Sequence, residues 1–484
     1  MAATDCYDVV VVGSGPGGYK AALGAAQLGA RVALVERGSP GGTCLNEGCI
    51  PKKTLLHIAS LLEDIGLLQG CGLQGHIQGD FAAALEHKDR VVTGIRDNFP
   101  VWLNRFGVRV YHGTARLCGT REIEVLPQSA QHDSVRLSAG VVVIATGAAP
   151  REHPTCRTDG HRVIHSGHFM RGLKALPATV LCIGGGAIGS ELGYFMNQFG
   201  TRVTIADASS RLLNKPCIPV RASNLLERKL ARLGVDVRTG TSIVSSEAVT
   251  GGVRVGFDDG RSEVFEQVLV AIGRQPHCDD MGLREAGVDR TSEGFIETDE
   301  YLETSVPGIY AIGDVKPGPM TANAALHDAK IALANALRNS RQPRNYHTVP
   351  IVIDSALEVA AVGLTEDQAE DAGFTPDVAR TSFGASAKSR AKHDHEGFLE
   401  VVHDEETGQL LGGCIVGNEA GEQIHMLAAA CQSDRGLWFF TDMNYSHPSW
   451  TEELENAIGP YTTALTRSGK ELFQPGIYAS GHPS

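Results

Sequence analysis

Two stretches of the chain repeat the same succession of a short apolar run, a glycine-rich turn and a second apolar run. The first apolar run covers residues 7–12, and small residues follow at helical spacing before the second run at 31–35. The same succession returns with apolar runs at 178–183 and 202–206. Short apolar runs bounded by turn residues are typical of buried parallel strands. The pattern therefore predicts two β–α–β units of an α/β protein.

Glycines stand between strand and helix in both units at the spacing G-x-G-x-x-G. They are Gly13, Gly15 and Gly18 in the first unit and Gly184, Gly186 and Gly189 in the second. The first glycine of this motif makes the tight turn, the second lets the backbone approach a pyrophosphate, and the third allows the helix to pack closely on the strand. Because strand, motif, helix and second strand occur together in each copy, both units are predicted to bind a dinucleotide.

An acidic residue ends the second strand of each unit, Glu36 in the first and Asp207 in the second. A carboxylate at this position accepts a hydrogen bond from a ribose 2′-hydroxyl, whereas an NADP site places an arginine near the 2′-phosphate. Residues 208–210 are uncharged, and Arg211 is the nearest cation after Asp207. The second unit is therefore predicted to bind NAD rather than NADP.

Two cysteines five positions apart lie in segment 41–53, GGTCLNEGCIPKK, just after the first unit. A disulfide needs Cα atoms about 4.4–6.8 Å apart, and a regular helix separates such residues further. Joining Cys44 to Cys49 therefore requires a tightened turn, which Gly48 permits. A helix is predicted from Pro51 onward, so that Cys49 lies near a helix N-terminus, where a thiolate is stabilised. This position favours a redox-active pair over two structural thiols.

Composition and charge limit the function classes further. The 484 residues suggest about three domains. The net charge of −13 argues against nucleic acid, because a nucleic-acid site needs a basic patch. No apolar run approaches the roughly 18 residues of a transmembrane helix, and residues 1–5 lack the layout of a signal peptide. The odd number of cysteines, 11, favours a reducing compartment. We therefore expect a cytoplasmic protein with neither a membrane nor a nucleic-acid partner.

Three further apolar segments end in small residues or an aspartate. Residues 141–148 lie between the two units, residues 268–274 close the second unit, and residues 306–314 end in Asp314. These segments predict one nucleotide-binding fold that is interrupted by another and then resumed.

Four segments carry a resemblance to a known family. They are the cysteine segment 41–53, residues 362–366 (VGLTE), residues 386–392 (SAKSRAK) and residues 447–452 (HPSWTE). Over nearly its whole length the chain resembles the FAD-dependent pyridine nucleotide–disulfide oxidoreductases of class I, and within them the dihydrolipoamide dehydrogenases. The resemblance implies oxidation of protein-bound dihydrolipoyl groups to the lipoyl disulfide and reduction of NAD⁺, with FAD and NAD as cofactors.

The resemblance also implies the domain organisation. An FAD-binding domain is expected at 1–150, an NAD-binding domain at 151–275, a central domain completing the FAD domain at 276–345 and an interface domain at 346–484. The expected fold class is α/β, with two Rossmann-like nucleotide-binding domains, the NAD domain being inserted, and an α+β C-terminal dimerisation domain. A homodimer is implied, because in this family the C-terminal domain places a histidine against the redox pair of the other subunit.

Site residues follow from the resemblance by position. Contacts to FAD are implied for the first glycine motif and for Glu36, Thr43, Lys53, Gly113, Thr146, Gly147, Asp314, Met320, Thr321, Ala322 and Asn323. Contacts to NAD are implied for Gly184, Gly186, Gly189, Asp207 and Gly273. The implied catalytic residues are Cys44, Cys49, His447, Glu452, Lys53 and Glu191, and no metal ligand is implied.

The resemblance assigns a role to each catalytic residue. Cys44 would be the thiol that exchanges with the substrate, and Cys49 the thiol against the flavin. His447 would deprotonate the substrate dithiol, with Glu452 holding its imidazole in one tautomer. Lys53, near the flavin, would pair with Glu191, since charges near the ring tune a flavin.

Several positions depart from the pattern of the dihydrolipoamide dehydrogenases. Residues 323–328 (NAALHD) replace a lysine and an acidic cluster, Leu357 stands where proline is common, and Lys52 replaces a frequent serine. Residues 445–446 and Trp450 flank the implied histidine, so we expect them to change the wall of the substrate channel.

These departures leave the substrate open. The chain could be a dehydrogenase for a non-standard lipoyl carrier, or a reductase of another small or protein disulfide similar to glutathione reductase. The second alternative normally uses NADPH, which Asp207 opposes. A flavoprotein whose main task is to hold an assembly together is a third alternative, and the intact catalytic set argues against it.

Overall fold

The computed structural model describes residues 5–128 and 133–468. The strands within them are β1 (Asp5–Val12), β2 (Val32–Glu36), β3 (Arg109–His112), β4 (Thr114–Leu117), β5 (Glu122–Leu126), β6 (Val135–Ile144), β7 (Ala148–Pro150), β8 (Val163–Ile164), β9 (Thr179–Ile183), β10 (Arg202–Asp207), β11 (Asp236–Thr239), β12 (Ile243–Val249), β13 (Gly252–Phe257), β14 (Ser262–Phe265), β15 (Gln267–Val270), β16 (Arg274–Pro276), β17 (Ile309–Ala311), β18 (Ile351–Asp354), β19 (Glu358–Gly363), β20 (Pro376–Ser382), β21 (Phe398–Asp404) and β22 (Leu410–Val416).

The helices of the same residues are α1 (Pro16–Gln27), α2 (Gly42–Asn46), α3 (Cys49–Leu67), α4 (Phe81–Arg105), α5 (Ser166–Gly172), α6 (Ala187–Gln198), α7 (Val220–Arg232), α8 (Leu283–Ala286), α9 (Ala322–Arg338), α10 (Glu366–Asp371), α11 (Ala387–Lys392), α12 (Ala420–Cys431), α13 (Trp438–Thr441) and α14 (Glu452–Ser468). Short 3₁₀ helices cover Gly313–Val315, Tyr346–Thr348 and Phe383–Ala385. None of the helices in the described part of the chain is both long and apolar enough to cross a membrane.

The first of two compact units is formed by the chain up to Leu55, by Phe81–Ala175 and by Ile272–Asn345. Its large sheet has the strand order β3-β2-β1-β6-β5-β4, and β17 pairs with β6. β1 runs parallel to β2 and β6. Val10 enters the apolar cluster on one face of the sheet, and Val11 enters the cluster on the other. Because both faces are covered, this strand is a continuous apolar run rather than an alternating one.

The second compact unit is formed by Leu56–Asp80, by Leu176–Ala271 and by the chain from Tyr346 onward. Its nucleotide-binding part contains parallel strands in the order β11-β10-β9-β15 and the antiparallel sheet β12-β13-β14. Its C-terminal part is an antiparallel sheet in the order β18-β19-β22-β21-β20. Helices α12 and α14 pack on that sheet, where Leu427 and Ile458 join its apolar core.

The predicted α/β class and both predicted β–α–β units are present, as β1-α1-β2 and β9-α6-β10. Two element boundaries differ from the sequence-based expectation. The helix after the cysteines begins at Cys49 and not at Pro51, because proline is tolerated anywhere in the first turn, where its missing N–H has no helical partner. The strand predicted at 306–314 is only β17, followed by the 3₁₀ turn Gly313–Val315. The domain boundaries at 150, 275 and 345 stay predictions.

Candidate active site

The first glycine motif forms the turn between β1 and α1. Gly13 has a φ of +97°, which favours glycine, and its N–H donates to the Val35 carbonyl at 2.8 Å. A Cβ on Gly18 would overlap the Gly13 carbonyl oxygen. Gly15 caps the N-terminus of α1, and the space that its Cβ would fill is open. The turn therefore leaves the N-terminus of α1 accessible to an anion.

The second glycine motif has the same geometry between β9 and α6. Gly184 has a φ of +103°, and its N–H donates to the Ala206 carbonyl at 2.8 Å. A Cβ on Gly189 would overlap the Gly184 carbonyl oxygen, and Gly186 caps α6 with open space beside it. Two different sequences thus adopt one arrangement, the arrangement that a dinucleotide pyrophosphate requires.

Replacing Gly189 with alanine is expected to weaken NAD⁺ binding without loss of FAD. The added methyl overlaps a backbone oxygen, and relieving such an overlap typically costs about 1–3 kcal/mol, which corresponds to roughly 10–100-fold in affinity. Calorimetric titration with NAD⁺, beside the flavin content from absorbance, measures both quantities. Gly66→Ala is the control, because the space beside Gly66 on α3 is open. Unchanged NAD⁺ affinity in Gly189→Ala would contradict the assignment of this turn.

Glu36 at the end of β2 is buried and hydrogen-bonded to the first glycine motif. Its Oε2 accepts from the backbone N–H of Ser14 at 2.9 Å and from the Ser14 hydroxyl at 2.6 Å, and its Oε1 accepts from the Gly38 N–H at 2.7 Å. The Ser14 oxygen in turn accepts from the Gly41 N–H at 3.0 Å. The predicted ribose acid therefore also ties the glycine turn to the start of the cysteine segment.

Asp207 at the end of β10 holds the second glycine motif in the same way. Its Oδ2 accepts from the Gly185 N–H at 2.5 Å and its Oδ1 from the Ser209 N–H at 2.7 Å. Arg211, the nearest cation in the sequence, donates to the Ser223 hydroxyl at 2.6 Å. A carboxylate at this position and an arginine engaged elsewhere are the features expected of an NAD site.

The cysteine segment lies against the first glycine motif. Short helix α2 carries Thr43 and Cys44, and Cys49 is the first residue of α3. Gly42 has a φ of +59°, and a Cβ there would lie 2.8 Å from the Cα of Gly15. Only glycine allows this approach, so the segment is held beside the turn where a dinucleotide would bind.

Cys44 and Cys49 are thiols in the structure and are not joined by a disulfide. A hydrogen bond to Cys49 is the largest cause that raises the pKa of Cys44; burial raises this pKa further, and Lys52 lowers it. The two cysteines are therefore neighbours in space, as the predicted redox pair requires. Tyr19 on α1 also lies near the pair, since burial and then the two cysteines raise its pKa; the sequence pattern gave no signal for it.

Asn46 holds the turn that brings the two cysteines together. Its Nδ2 donates to the carbonyl oxygens of Pro40 and Gly42, each at 2.9 Å. The following residue, Glu47, is ion-paired with Arg171. In the sequence Asn46 stands out only as part of segment 41–53, because a side chain that bonds to preceding carbonyls has no distinctive spacing of its own.

The predicted FAD residues outside the glycine motif lie mainly at one edge of the first sheet. Gly113 follows β3, Thr146 and Gly147 follow β6, and Asp314 follows β17. Carboxyl ends of parallel strands meet at the same edge, where ligands of α/β proteins bind. The Thr146 hydroxyl oxygen is buried and has no hydrogen-bond partner among the described residues, so it suits a polar ligand atom.

The run Met320–Asn323 lies at the start of α9. Met320 has a φ of +53°, and Thr321 caps the helix by accepting from the Ala324 N–H at 3.2 Å. Ala322 and Asn323 are the first two residues of α9. Backbone N–H groups of a first helical turn have no partner within the helix, which makes this position suitable for an acceptor atom of a cofactor.

A buried ion pair connects this helix to the turn that carries Asp314. The Nζ of Lys316 lies 3.1 Å from the Oδ2 of Asp328, and both side chains are 1 % exposed. The same oxygen accepts from the Gly313 N–H at 2.9 Å. Burial lowers the pKa of Lys316, against the opposing effect of Asp328. Asp328 on α9 thus binds groups on both sides of Asp314, which fixes this turn relative to the helix. Loss of either charged partner would leave an isolated buried charge.

The structure brings His447 and Glu452 together as predicted. The Nδ1 of His447 lies 2.9 Å from Oε2 of Glu452, whose Oε1 accepts from the Ser449 N–H at 3.3 Å. The His447 side chain is 77 % exposed, whereas that of Glu452 is 17 % exposed. With Nδ1–H donating to the carboxylate, Nε2 keeps its lone pair, which is the arrangement of an oriented base.

Trp450, expected to change the wall of a substrate channel, is buried in packing instead, whereas the same expectation for residues 445–446 stays a prediction. Trp450 is 5 % exposed, and its Nε1–H donates to the Ser389 hydroxyl at 2.9 Å. The Tyr445 hydroxyl donates to the Phe440 carbonyl at 2.9 Å. Both residues therefore fix the loop around His447.

Lys53, Glu191 and Gly273 complete the predicted set. Lys53 lies on α3 one turn after Cys49. Glu191 is fully buried on α6, and its Oε1 accepts from the Asp354 N–H at 2.9 Å. Gly273 has a φ of +107° and precedes β16. The contacts and roles assigned to these residues, including a pair between Lys53 and Glu191, stay predictions.

Two family models match most of the chain. The model described as pyridine nucleotide-disulphide oxidoreductase matches residues 7–329, and the dimerisation domain of the same family matches residues 349–458.

Curated relatives cover nearly the full length. The chain is 35 % identical to the dihydrolipoyl dehydrogenase of Chlorobaculum parvum, with 93 % of this chain and 96 % of that protein covered. It is 36 % identical to the dihydrolipoyl dehydrogenase of Thermus scotoductus over the same shares of the two chains.

Solved structures with a similar fold include two chains of nearly the same length. The HOCl-induced flavoprotein disulfide reductase RclA from Escherichia coli superposes with a TM-score of 0.83 at 26 % identity, covering 94 % of this chain and 100 % of that one, in its Cu(II) complex. LpdA from Mycobacterium tuberculosis, at 24 % identity, shares the fold with a TM-score of 0.88 over 94 % of this chain and 99 % of that one. By sequence and by fold, the chain belongs to the pyridine nucleotide-disulphide oxidoreductase family.

Proposed function

We propose that the chain oxidises protein-bound dihydrolipoyl groups to the lipoyl disulfide and reduces NAD⁺, with FAD as bound cofactor. The observation that carries the proposal is the thiol pair Cys44 and Cys49, held against the first glycine motif by Gly42. The full-length identity to dihydrolipoyl dehydrogenases supports the substrate class.

The residues of the first unit fit FAD. The open space beside Gly15 admits a pyrophosphate at the N-terminus of α1, and the buried Thr146 hydroxyl lacks a protein partner among the described residues. Glu36, Asp314 and the start of α9 would supply further contacts. When bound, FAD supplies two-electron transfer between the thiol pair and NAD⁺.

The steps at sulfur follow from the side chains. His447 accepts a proton from one substrate thiol at Nε2, and the Glu452 carboxylate stabilises the resulting imidazolium. The substrate thiolate attacks the Cys44 sulfur of the oxidised pair, so that a mixed disulfide forms and the Cys44–Cys49 bond breaks with Cys49 leaving as a thiolate. The second substrate thiol then attacks the substrate sulfur of the mixed disulfide and displaces Cys44, which takes up the proton of that thiol and leaves as a thiol. The substrate ends as a disulfide, and the pair ends reduced by two electrons.

The proposed assembly is a homodimer in which His447 of one subunit serves the cysteine pair of the other. The match to the family's dimerisation domain supports the dimer. The cytoplasm is the proposed location, since it keeps thiols outside the active pair reduced.

A reductase of another disulfide is the second candidate, supported by the likeness to a flavoprotein disulfide reductase. Steady-state NAD⁺ reduction by dihydrolipoamide, run beside NADPH-dependent reduction of glutathione disulfide, separates the two. We expect turnover only in the first assay, because Asp207 disfavours a 2′-phosphate. Inert dihydrolipoamide, with glutathione disulfide or another disulfide reduced instead, would overturn the proposal.

A further inference from the structure

Helix α11 presents a cluster of cations that the proposed chemistry does not use. The cluster, here the cationic segment, consists of Lys388, Arg390 and Lys392; the first is half-buried and the other two are exposed. None of the three forms an ion pair with a carboxylate in the described part of the chain. By contrast, Lys229 on α7 is ion-paired with both Glu63 and Glu396.

The cationic segment is fixed to the loop that carries His447. The Nζ atoms of Lys388 and Lys392 each lie 5.6 Å from the centre of the Trp450 ring, within cation–π range. Trp450 also donates to Ser389 between the two lysines. Since Trp450 follows His447 by three residues, their Cα atoms are at most about 11 Å apart. The segment is therefore adjacent to the proposed base.

Nearby carboxyls cancel little of this charge. Asp394 is half-buried and accepts from the Glu396 N–H at 3.3 Å. Glu396 is engaged by Lys229 and Arg232. Burial raises the pKa of Asp64, and nearby Lys392 opposes this rise. A local positive surface thus stands out in a chain whose net charge is −13.

We propose that the cationic segment docks an acidic face of the protein that carries the dihydrolipoyl group. This inference rests on the proposed function. A dihydrolipoamide group is uncharged, so three cations beside His447 gain nothing from it, whereas an acidic protein is steered by them. The net negative charge of the rest of the chain would repel such a carrier. The cationic segment would therefore determine where the carrier approaches the protein.

The test compares two substrates in one variant. In Lys388→Gln/Arg390→Gln/Lys392→Gln, kcat/KM for an acidic dihydrolipoyl domain should fall by about tenfold at low salt, on the scale of several surface charge contacts. The fall should appear in KM and shrink at high ionic strength, which screens exposed charges. Turnover of free dihydrolipoamide should stay at the parent value.

The matched control removes the same charge elsewhere, as Arg136→Gln/Lys174→Gln/Arg284→Gln, three exposed cations of the first unit. It should leave kcat/KM for the domain at the parent value. If the parent protein oxidises free dihydrolipoamide, two results would overturn the docking proposal. They are equal losses of kcat/KM for the domain in both triple variants and no loss in either. If the parent protein does not oxidise free dihydrolipoamide, the proposed function itself fails, and the two failures are thus distinguishable.

Discussion

Cys44→Ser should abolish NAD⁺ reduction by dihydrolipoamide, with turnover reduced by about 10⁴-fold or more, the scale of loss when a covalent nucleophile is removed. A serine oxygen cannot form the mixed disulfide, so no electrons leave the substrate. The thiol is half-buried in α2 and its main partner is Cys49, so serine fits the same space. Steady-state NADH formation at saturating dihydrolipoamide is the measurement.

Cys118→Ser is the matched control for this variant. Cys118 is an exposed cysteine of the same compact unit and lies outside the cysteine segment. It should retain the parent turnover, and both variants should bind FAD normally. Turnover of Cys44→Ser close to that of Cys118→Ser would remove Cys44 from the reaction and with it the proposed exchange of disulfides.

Sequence reasoning succeeded where backbone geometry dictates the residue. Gly13 and Gly184 need positive φ, and Gly18 and Gly189 tolerate no Cβ, so the glycine spacing together with the flanking strands and helix predicts both turns. The pair His447 and Glu452 is local in sequence, and its contact at 2.9 Å followed from the family motif. Backbone conformation and contacts between near neighbours depend mainly on the local sequence, so the local sequence predicts them.

Sequence reasoning failed where function depends on contacts between distant residues. The pair of Lys316 and Asp328 is visible only after the 3₁₀ turn packs on α9, and the sequence marks Asp328 only as part of the departure at 323–328. Trp450 was expected to line a channel because its packing against Ser389, 61 positions away, leaves no trace in the local pattern. Burial of large or charged side chains is set by tertiary structure, which a single sequence does not reveal.

His447→Gln should retain fold and FAD and lose about 10²–10⁴-fold in turnover, the usual contribution of a positioned acid–base group. The side chain is 77 % exposed, so glutamine leaves no cavity and the free energy of unfolding should not change. An amide does not accept the substrate proton at neutral pH, and therefore the attacking thiolate becomes scarce.

Proton transfer to His447 also depends on Glu452, which orients the imidazole. Its carboxylate accepts from the His447 Nδ1–H and from the Ser449 N–H. Glu452→Gln should therefore lose less turnover than His447→Gln, and the double variant should lose no more than His447→Gln alone, since the two residues act as one unit.

His425→Gln, an exposed histidine on α12, is the control and should turn over as the parent does. Additive losses in the double variant would mean that Glu452 acts independently of the imidazole, and near-parent turnover in His447→Gln would exclude His447 as the base.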